Sequence, residues 1–349
     1  MSGSSAAGAA GAGATGAAGA GAAGARVVAE GATARRIWRC RVPSPCAAET
    51  DASLASAPGQ AAGEAAGAVA SPPGPAAGAA LDQDTDWLAE ELPLTIFVNG
   101  QEMLTTLCSP GLLEELVLGL LFDEGFISSL AEVQSLRVER RKGAAYAQIA
   151  EPAAQLATQL AGRRLLTSGC GQRSPFYAVG DASLPALQWQ GTVLAGPLLA
   201  VLRSWQTGQS LWHLTGGVHG AALATPAGRI LAQAEDIGRH NAVDKISGLC
   251  LRRGWEPPGQ AGPVLLVTGR ISSEMVRKAA RARIPVVVSR SAATSLAVDL
   301  AEALGVTLAG FARGGRMNIY SHPERMAVAG SGQGPGQGFE SDRNGSRNR

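Results

Sequence analysis

The chain has 349 residues, with 30 Lys and Arg against 28 Asp and Glu and a formal net charge of +2. So small an excess leaves no overall nucleic-acid footprint, and any anion site must be local. Five cysteines, Cys40, Cys46, Cys108, Cys170 and Cys250, fall at irregular spacing without a Cys-x-x-Cys, and four scattered histidines form no His-x-x-x-His, which argues against a disulfide framework and a structural metal.

Residues 1–80 are dominated by Ala, Gly, Ser and Pro. With almost no large apolar side chains they cannot offset the entropy of ordering, and they read as a disordered tail. Their Ala/Gly runs lack the Leu/Val-rich core of a signal peptide or a membrane span, so neither is read there, and the irregular cysteines read as reduced cytosolic thiols of a cytoplasmic protein with no membrane partner. A basic island of Arg35, Arg36, Trp38, Arg39 and Arg41 interrupts the tail. Residues 327–349, rich in Gly, Ser and Asn, read as a second tail. Between the tails lie an N-terminal lobe, 81–195, and a C-terminal α/β lobe, 196–326.

In the first lobe, Leu94 to Val98 alternates and ends in Asn99-Gly100, which predicts a strand and a hairpin turn. Ser109-Pro110-Gly111 then introduces a helix over Leu112 to Phe122, with Leu113, Leu116, Val117 and Leu120 on one face and Glu114 and Glu115 at its positive end. Strand-like segments fill 131–150, and a loop follows around Arg163, Arg164 and Thr167 to Arg173.

The second lobe starts with a short helix from Pro197 to Trp205. Short strands at Gly220 to Ala224 and Ile230 to Ala234 flank a Pro226-Ala227-Gly228 turn, and His240 to Leu251 is an amphipathic helix with Val243, Ile246 and Cys250 inward. Three apolar strands then alternate with two helices. The strands are Val264 to Thr268, Pro285 to Ser289 and Val306 to Phe311. The helix Ser273 to Ala282 turns Met275, Val276, Ala279 and Ala280 inward and Arg277, Lys278 and Arg281 outward. The helix Thr294 to Leu304 turns Leu296, Ala297, Leu300 and Leu304 inward. That alternation predicts a parallel sheet covered on both faces, whose ligands bind beyond the carboxyl ends of its strands.

Those ends carry Gly269-Arg270, Ser289-Arg290 and Ala312-Arg313-Gly314-Gly315-Arg316. Guanidinium forks match phosphate oxygens, and the glycines let backbone approach a ligand closely. Helix N-termini at Ser272-Ser273 and Thr294 add oriented N–H groups. Together these features predict a phosphorylated or nucleotide-like ligand clamped by Arg270, Arg290, Arg313 and Arg316.

Two further features carry chemistry. Glu235-Asp236-Ile237-Gly238-Arg239-His240-Asn241-Ala242-Val243-Asp244-Lys245 crowds acids, bases, an imidazole and an amide between apolar segments. It reads as a site, with a capped surface junction as the alternative. Glu235 and Asp236 either bind a guanine edge or cap the helix at His240, capping being the more economical account, while His219 and His240 are either proton shuttles or buried, carbonyl-bonded histidines. Cys170, between Gly169 and Gly171 with Arg163, Arg164 and Arg173 nearby, sits where a thiolate is stabilised and reachable; Cys108 and Cys250 look like core fillers.

Several motifs, taken in order, resemble one family. They are Glu91 to Leu94 with Val98-Asn99-Gly100, Glu114 to Gly119 with Phe122 to Gly125, Thr167 to Gly171, Gly217 to Ala221, Glu235 to Lys245, Thr268 to Met275, and Gly310 to Arg313 through Asn318-Ile319-Tyr320. They resemble the formate dehydrogenase accessory sulfurtransferase (FdhD) family from about residue 88 to 322. The resemblance implies a cytidine-deaminase-like three-layer α/β/α lobe without the zinc, a smaller N-terminal α+β lobe, and a homodimer. It also implies a sulfur carrier protein required for formate dehydrogenase activity. Such a carrier accepts persulfide sulfur from a cysteine desulfurase and transfers it to the molybdenum bis(molybdopterin guanine dinucleotide) cofactor, bound as a substrate, before insertion.

On that reading Cys170 is the catalytic sulfur carrier. Phe311, Ala312, Arg313, Gly314, Gly315 and Arg316 match the cofactor-binding stretch, and Gly269, Arg270 and Arg290 complete the rim. Many family members carry Cys-Gly-x-Cys, whereas Cys170-Gly171-Gln172-Arg173 has Arg in the second place. A persulfide relay needs one thiol, so transfer chemistry survives this change while an internal disulfide does not. The alternative function is a non-catalytic cofactor-binding chaperone with Cys170 incidental. A zinc nucleoside deaminase on the similar fold is excluded by the missing Pro-Cys-x-x-Cys ligand run.

Overall fold

A computed structural model describes residues 31–41, 80–150, 184–207, 211–254 and 262–328. The chain divides into two compact units, Thr33–Leu88 and the remainder. A two-stranded ribbon of β1 (Ala32–Arg41) and β2 (Ala80–Ala89) supplies the described part of the first unit. β1 lies inside the span 1–80 assigned to a tail. Averaging over eighty residues hid a ten-residue window in which Ile37, Trp38 and Cys40 favour a strand over the Ala/Gly background.

In the larger unit, β3 (Leu92–Val98) and β4 (Gln101–Cys108) pair antiparallel through Asn99-Gly100, and both turn residues have positive φ, 50° and 81°. That is the geometry for which Asn-Gly is suited. α1 (Leu113–Asp123) follows, then β5 (Val133–Glu139) and β6 (Ala144–Ile149), which complete a four-stranded sheet in the order β4-β3-β6-β5. Leu94, Ile96 and Val98 face Leu116, Val117, Leu120 and Leu121 of α1 in one core. The helix is also buried at Leu118 and Gly119, because a second helix covers its other side.

The rest of the unit comprises β7 (Val193–Leu194), α2 (Ala195–Thr207), α3 (Leu211–Thr215), β8 (His219–Ala224), β9 (Ile230–Asp236), α4 (Arg239–Arg252), β10 (Val264–Val267), α5 (Ser273–Arg281), β11 (Val286–Ser289), α6 (Ser295–Leu304), β12 (Thr307–Arg313), β13 (Arg316–Ser321) and β14 (Met326–Ala327). Six strands form one sheet in the order β13-β12-β11-β10-β8-β9. β10, β11 and β12 run parallel, as anticipated, but β8, β9 and β13 are antiparallel to their neighbours, so the sheet as a whole is mixed. The turns at Pro226 to Gly228 and at Gly314-Gly315 are too short for the crossover that a parallel connection needs.

α4, α5 and α6 cover one face, where Leu223, Leu265, Val267, Val287 and Leu308 meet Ile246, Met275, Ala279 and Ala301. α2 covers the other, where Leu198 and Leu202 meet Ala222, Leu266, Val288 and Ala309. The expected three α/β/α layers are therefore present. Two facing assignments are overturned. Arg277 and Lys278 of α5, expected outward, are 7% and 3% exposed, because α1 and α4 pack on that side and Asp244 of α4 pairs with the ammonium of Lys278. Leu296 of α6, expected inward, is 53% exposed, and Ala301 takes its place in the core.

α1 and α4 join the small sheet to the large one at two glycines. A methyl carbon on Gly119 would lie 1.7 Å from the Asp244 carbonyl oxygen, and one on Gly248 would lie 1.9 Å from that of Glu115. Neither distance leaves room for a side chain, so the helices touch backbone to backbone. Gly119→Ala or Gly248→Ala is expected to destabilise the fold by about 3 kcal/mol or more, lowering Tm by roughly 6 °C or more. Gly196→Ala, where nothing lies within 4 Å, serves as the control in the same melting experiment and should leave Tm unchanged or slightly raised.

Candidate functional site

The charged run Glu235 to Lys245 folds into a structural knot. Asp236 at the end of β9 and Lys245 on α4 are both fully buried, and their charged atoms are 2.6 Å apart. The Asp236 carboxylate also accepts the N–H groups of Ser109 at 2.9 Å and Gly238 at 2.8 Å, and the side-chain amide of Asn241 at 2.9 Å. Lys245 donates to the carbonyls of Ser109 and Glu235, and Asn241 to that of Leu107. A buried ion pair is tolerable only when its remaining donors and acceptors are satisfied this completely. Glu235 accepts the N–H groups of Leu211 and Trp212, each at 2.9 Å, capping α3 rather than the helix at His240. The two acids thus hold backbone groups, but neither caps the helix at His240, whose N-cap residue Gly238 carries no side-chain capping bond.

A second buried cluster lies between α1, α4 and α5. Burial raises the acids of both Asp123 and Asp244, and the neighbouring Asp244 carboxylate raises Asp123 further, to well above the usual carboxylate range. Ser247 donates to Asp123 at 3.0 Å. Burial alone would discharge Lys278, but Asp244 and then Glu274 outweigh it and keep the ammonium charged. Burial pushes His240 down to about 4, so its ring is neutral; Nε2 lies 3.1 Å from the Ser272 hydroxyl and 3.6 Å from Glu274.

At or just beyond the carboxyl ends of β10, β11 and β12 stand Arg270, Arg290 and Arg313. A cleft of about 490 Å³ is lined by Trp212, Gly216, Gly217, Val218, His219, Thr268, Arg290, Ser291, Phe311 and Arg313. The Ser289 hydroxyl donates to the Gly269 carbonyl at 2.6 Å and accepts the Ser291 N–H at 2.9 Å, tying two strand ends together. Phe311 has a left-handed backbone, φ 51°, and the Arg313 guanidinium carbon stands 5.6 Å from its ring centroid. Burial, and then the Arg313 cation, lower the Arg290 pKa. Arg270 and Arg239 stand close to each other and to His219. Burial, and then Arg270, lower the Arg239 pKa, and Arg239 Nε is buried without a hydrogen-bond partner among the described residues. Gly269 makes room for Arg239 and His219, since a methyl there would come within 3.0 Å of Arg239 Cβ and 3.4 Å of His219 Nδ1.

The structure thus gathers Arg290, Phe311 and Arg313 in the cleft wall, with Gly269 and exposed Arg270 beside it. Arg316 pairs opposite Arg313 across the Gly314-Gly315 turn and lies outside that wall. The Ala312 side chain is 1% exposed in the core under α2, so only its backbone is available. Cys170, Arg163, Arg164 and Arg173 lie outside the described residues. Cys108 and Cys250 are core fillers, as read, and burial pushes both thiols up to about 12. Sequence reasoning missed Trp212, Ser291 and Arg239 as neighbours of the rim; for Arg239 the signal was its place at the start of a helix within the charged run.

The fold and cleft define an α/β protein with a cation-rimmed cleft at the carboxyl edge of its sheet. Residues 89–327 match the model of the FdhD/NarQ family, and the chain belongs to that family. It is 40% identical over 247 residues to the sulfur carrier protein FdhD of Staphylococcus haemolyticus (strain JCSC1435), covering 70% of this chain and 92% of that one. The sulfur carrier protein FdhD of Geobacillus kaustophilus (strain HTA426) is 37% identical over the same shares. The crystal structure of a formate dehydrogenase accessory protein from Desulfotalea psychrophila superposes with a TM-score of 0.55 at 27% identity, over 71% of this chain and 94% of that chain. Among the described residues no helix is long and apolar enough to cross a membrane.

The buried acid pair makes stability pH-dependent. Asp123 has a folded-state pKa above its unfolded one, so its contribution is complete below the unfolded value and is lost as pH rises through the folded value. Asp123→Asn keeps a donor toward Asp244 and an acceptor for Ser247 but cannot ionise. Denaturant unfolding from mildly acidic to alkaline pH should show a shallower decline for the variant than for the wild type. Buried Glu124, also raised by burial, keeps part of the decline in both.

Proposed function

We propose that this chain is a sulfur carrier serving formate dehydrogenase. It takes persulfide sulfur from a cysteine desulfurase onto Cys170 and delivers it to the molybdenum bis(molybdopterin guanine dinucleotide) cofactor bound as substrate at the cleft. The observation that carries this reading is the cleft itself, where Arg290 and Arg313 flank Phe311 at the carboxyl edge of the sheet. Its volume suits a nucleotide-sized group. The guanidinium forks suit a pyrophosphate, and the Phe311 ring suits a planar base. The names of the relatives support the sulfur-carrier role. Work in the cytoplasm and as a homodimer is proposed on the family resemblance.

The loading step balances without an external oxidant. The Cys170 thiolate attacks the outer sulfur of the desulfurase persulfide. A new sulfur–sulfur bond forms as the old one breaks, the desulfurase thiolate leaves, and the outer sulfur keeps its oxidation level.

Two measurements test the reading. Incubation with a cysteine desulfurase and cysteine should add one sulfur to the wild type by mass spectrometry and none to Cys170→Ala. No gain in the wild type would favour the non-catalytic chaperone, and an unchanged gain in the variant would move the carrier elsewhere. In calorimetry with GDP, Arg290→Ala or Arg313→Ala should each lose about 1.5–3 kcal/mol, which is roughly tenfold or more in affinity. Arg316→Ala, outside the cleft wall, should lose less than about threefold. Wild-type affinity in all three variants would place the nucleotide elsewhere.

A further inference from the structure

His219 is the histidine for which the fold has no structural use. His240 is bonded to Ser272, His322 to Glu324, and His213 is engaged and does not line the cleft. Among the described residues neither ring nitrogen of His219 has a hydrogen-bond partner, yet the residue forms part of the cleft wall with Arg290 and Arg313. Its backbone is firmly placed. His219 opens β8 opposite Asp236, and the next residue, Gly220, exchanges two hydrogen bonds with Thr268, through its N–H to the threonine hydroxyl at 2.9 Å and its carbonyl to the threonine N–H at 3.1 Å.

The surroundings set its charge. Burial disfavours the imidazolium first; the Arg239 and Arg270 cations add to this, and Asp236 opposes it only in part, so the pKa is lowered. Asp236 is itself committed to Lys245. His240, a neighbouring imidazole, is held neutral down to about 4 by burial. Arg290 and Arg313 line the same cleft as the ring, which therefore has several cations for neighbours.

We propose that His219 is the proton acceptor of the cleft, neutral when the cleft is empty and protonated when a phosphate-bearing anion lies between Arg290 and Arg313. This rests on the cleft reading above and adds a ligand-coupled proton to it. An anion beside His219 screens the arginine cations and favours the imidazolium, so the ring pKa is higher in the complex than in the free protein. Affinity therefore rises as pH falls through the bound-state value, and levels off below the free-state value.

The probe is diguanosine pyrophosphate, a diester whose phosphates keep a constant charge across the mildly acidic to mildly alkaline range, so the ligand does not titrate. Calorimetry on the full chain, across that range and in buffers of different ionisation enthalpy, reads both affinity and proton uptake. For the wild type, affinity should gain up to ~10-fold per pH unit with one proton taken up. His219→Gln should bind with nearly wild-type affinity at the alkaline end, without the gain on acidification and without proton uptake. His213→Gln should behave as wild type. Undiminished proton uptake in His219→Gln, with affinity still lost in Arg313→Ala, would overturn the proton role and leave the cleft reading standing. No binding by the wild type, or wild-type affinity in Arg313→Ala, would overturn the cleft reading itself.

Discussion

Gly119 of α1 and Gly248 of α4 allow two helices to touch backbone to backbone, and this crossing sets the distance between the small sheet and the large one. The buried clusters are arranged around it. Toward one end, Lys245 of α4 reaches Asp236 and the carbonyl of Ser109, so the start of the α1 segment, the end of β9 and α4 share one ion pair. Toward the other, Asp123 of α1, Asp244 and Ser247 of α4 and Lys278 of α5 form one cluster, joined by the Ser247–Asp123 hydrogen bond and the Lys278–Asp244 ion pair. A side chain at either glycine would separate the helices and leave charges in both clusters without partners, which is far costlier in a protein interior than the packing defect alone.

These clusters explain why so polar a stretch sits in the middle of the chain. The run from Glu235 to Lys245 has the composition of a catalytic loop, but the structure uses most of it as mortar. Asp236, Asn241 and Lys245 satisfy backbone groups at the junction of β4, β9 and α4, and Glu235 caps α3. The capped α3 in turn presents Trp212 to the cleft. Function and structure are therefore interleaved residue by residue. Arg239 stands beside the cleft, whereas His240, next in sequence, is buried against Ser272.

The cleft gathers like charges that water would otherwise keep apart. Burial and then the Arg313 cation lower the Arg290 pKa, burial and then the Arg270 cation lower that of Arg239, and the His219 ring is lowered by burial and then by Arg239. Such crowding of like charges is a standing cost, of the kind that a bound anion would relieve. Phe311 holds a left-handed backbone conformation at the same edge. Residues in sparsely populated conformations persist where the surrounding structure over-determines them, and here the Phe311 N–H is fixed to the Ser291 carbonyl at 2.9 Å.

What the sequence determined by itself was local. The Asn99-Gly100 hairpin, the helices at Leu113–Asp123 and Ser273–Arg281, and three apolar strands each ending near an arginine follow from turn chemistry and hydrophobic period, which depend on neighbours a few residues away. The seven motifs in order likewise made the family legible. Only the tertiary structure decided what covers each face. Lys278 and Arg277 form a polar helix face by period, and nothing within a few residues tells that Asp244 and α1 will close over it. Leu296 is apolar by type, yet α6 is oriented so that Ala301 is covered and Leu296 is not. The division within the rim has the same cause. Arg313 and Arg316 flank the same two glycines and stand opposite each other across the turn, but only Arg313 lies in the cleft wall. A repeat along the chain records which residues share a side; which element that side meets is set by packing between segments far apart in sequence.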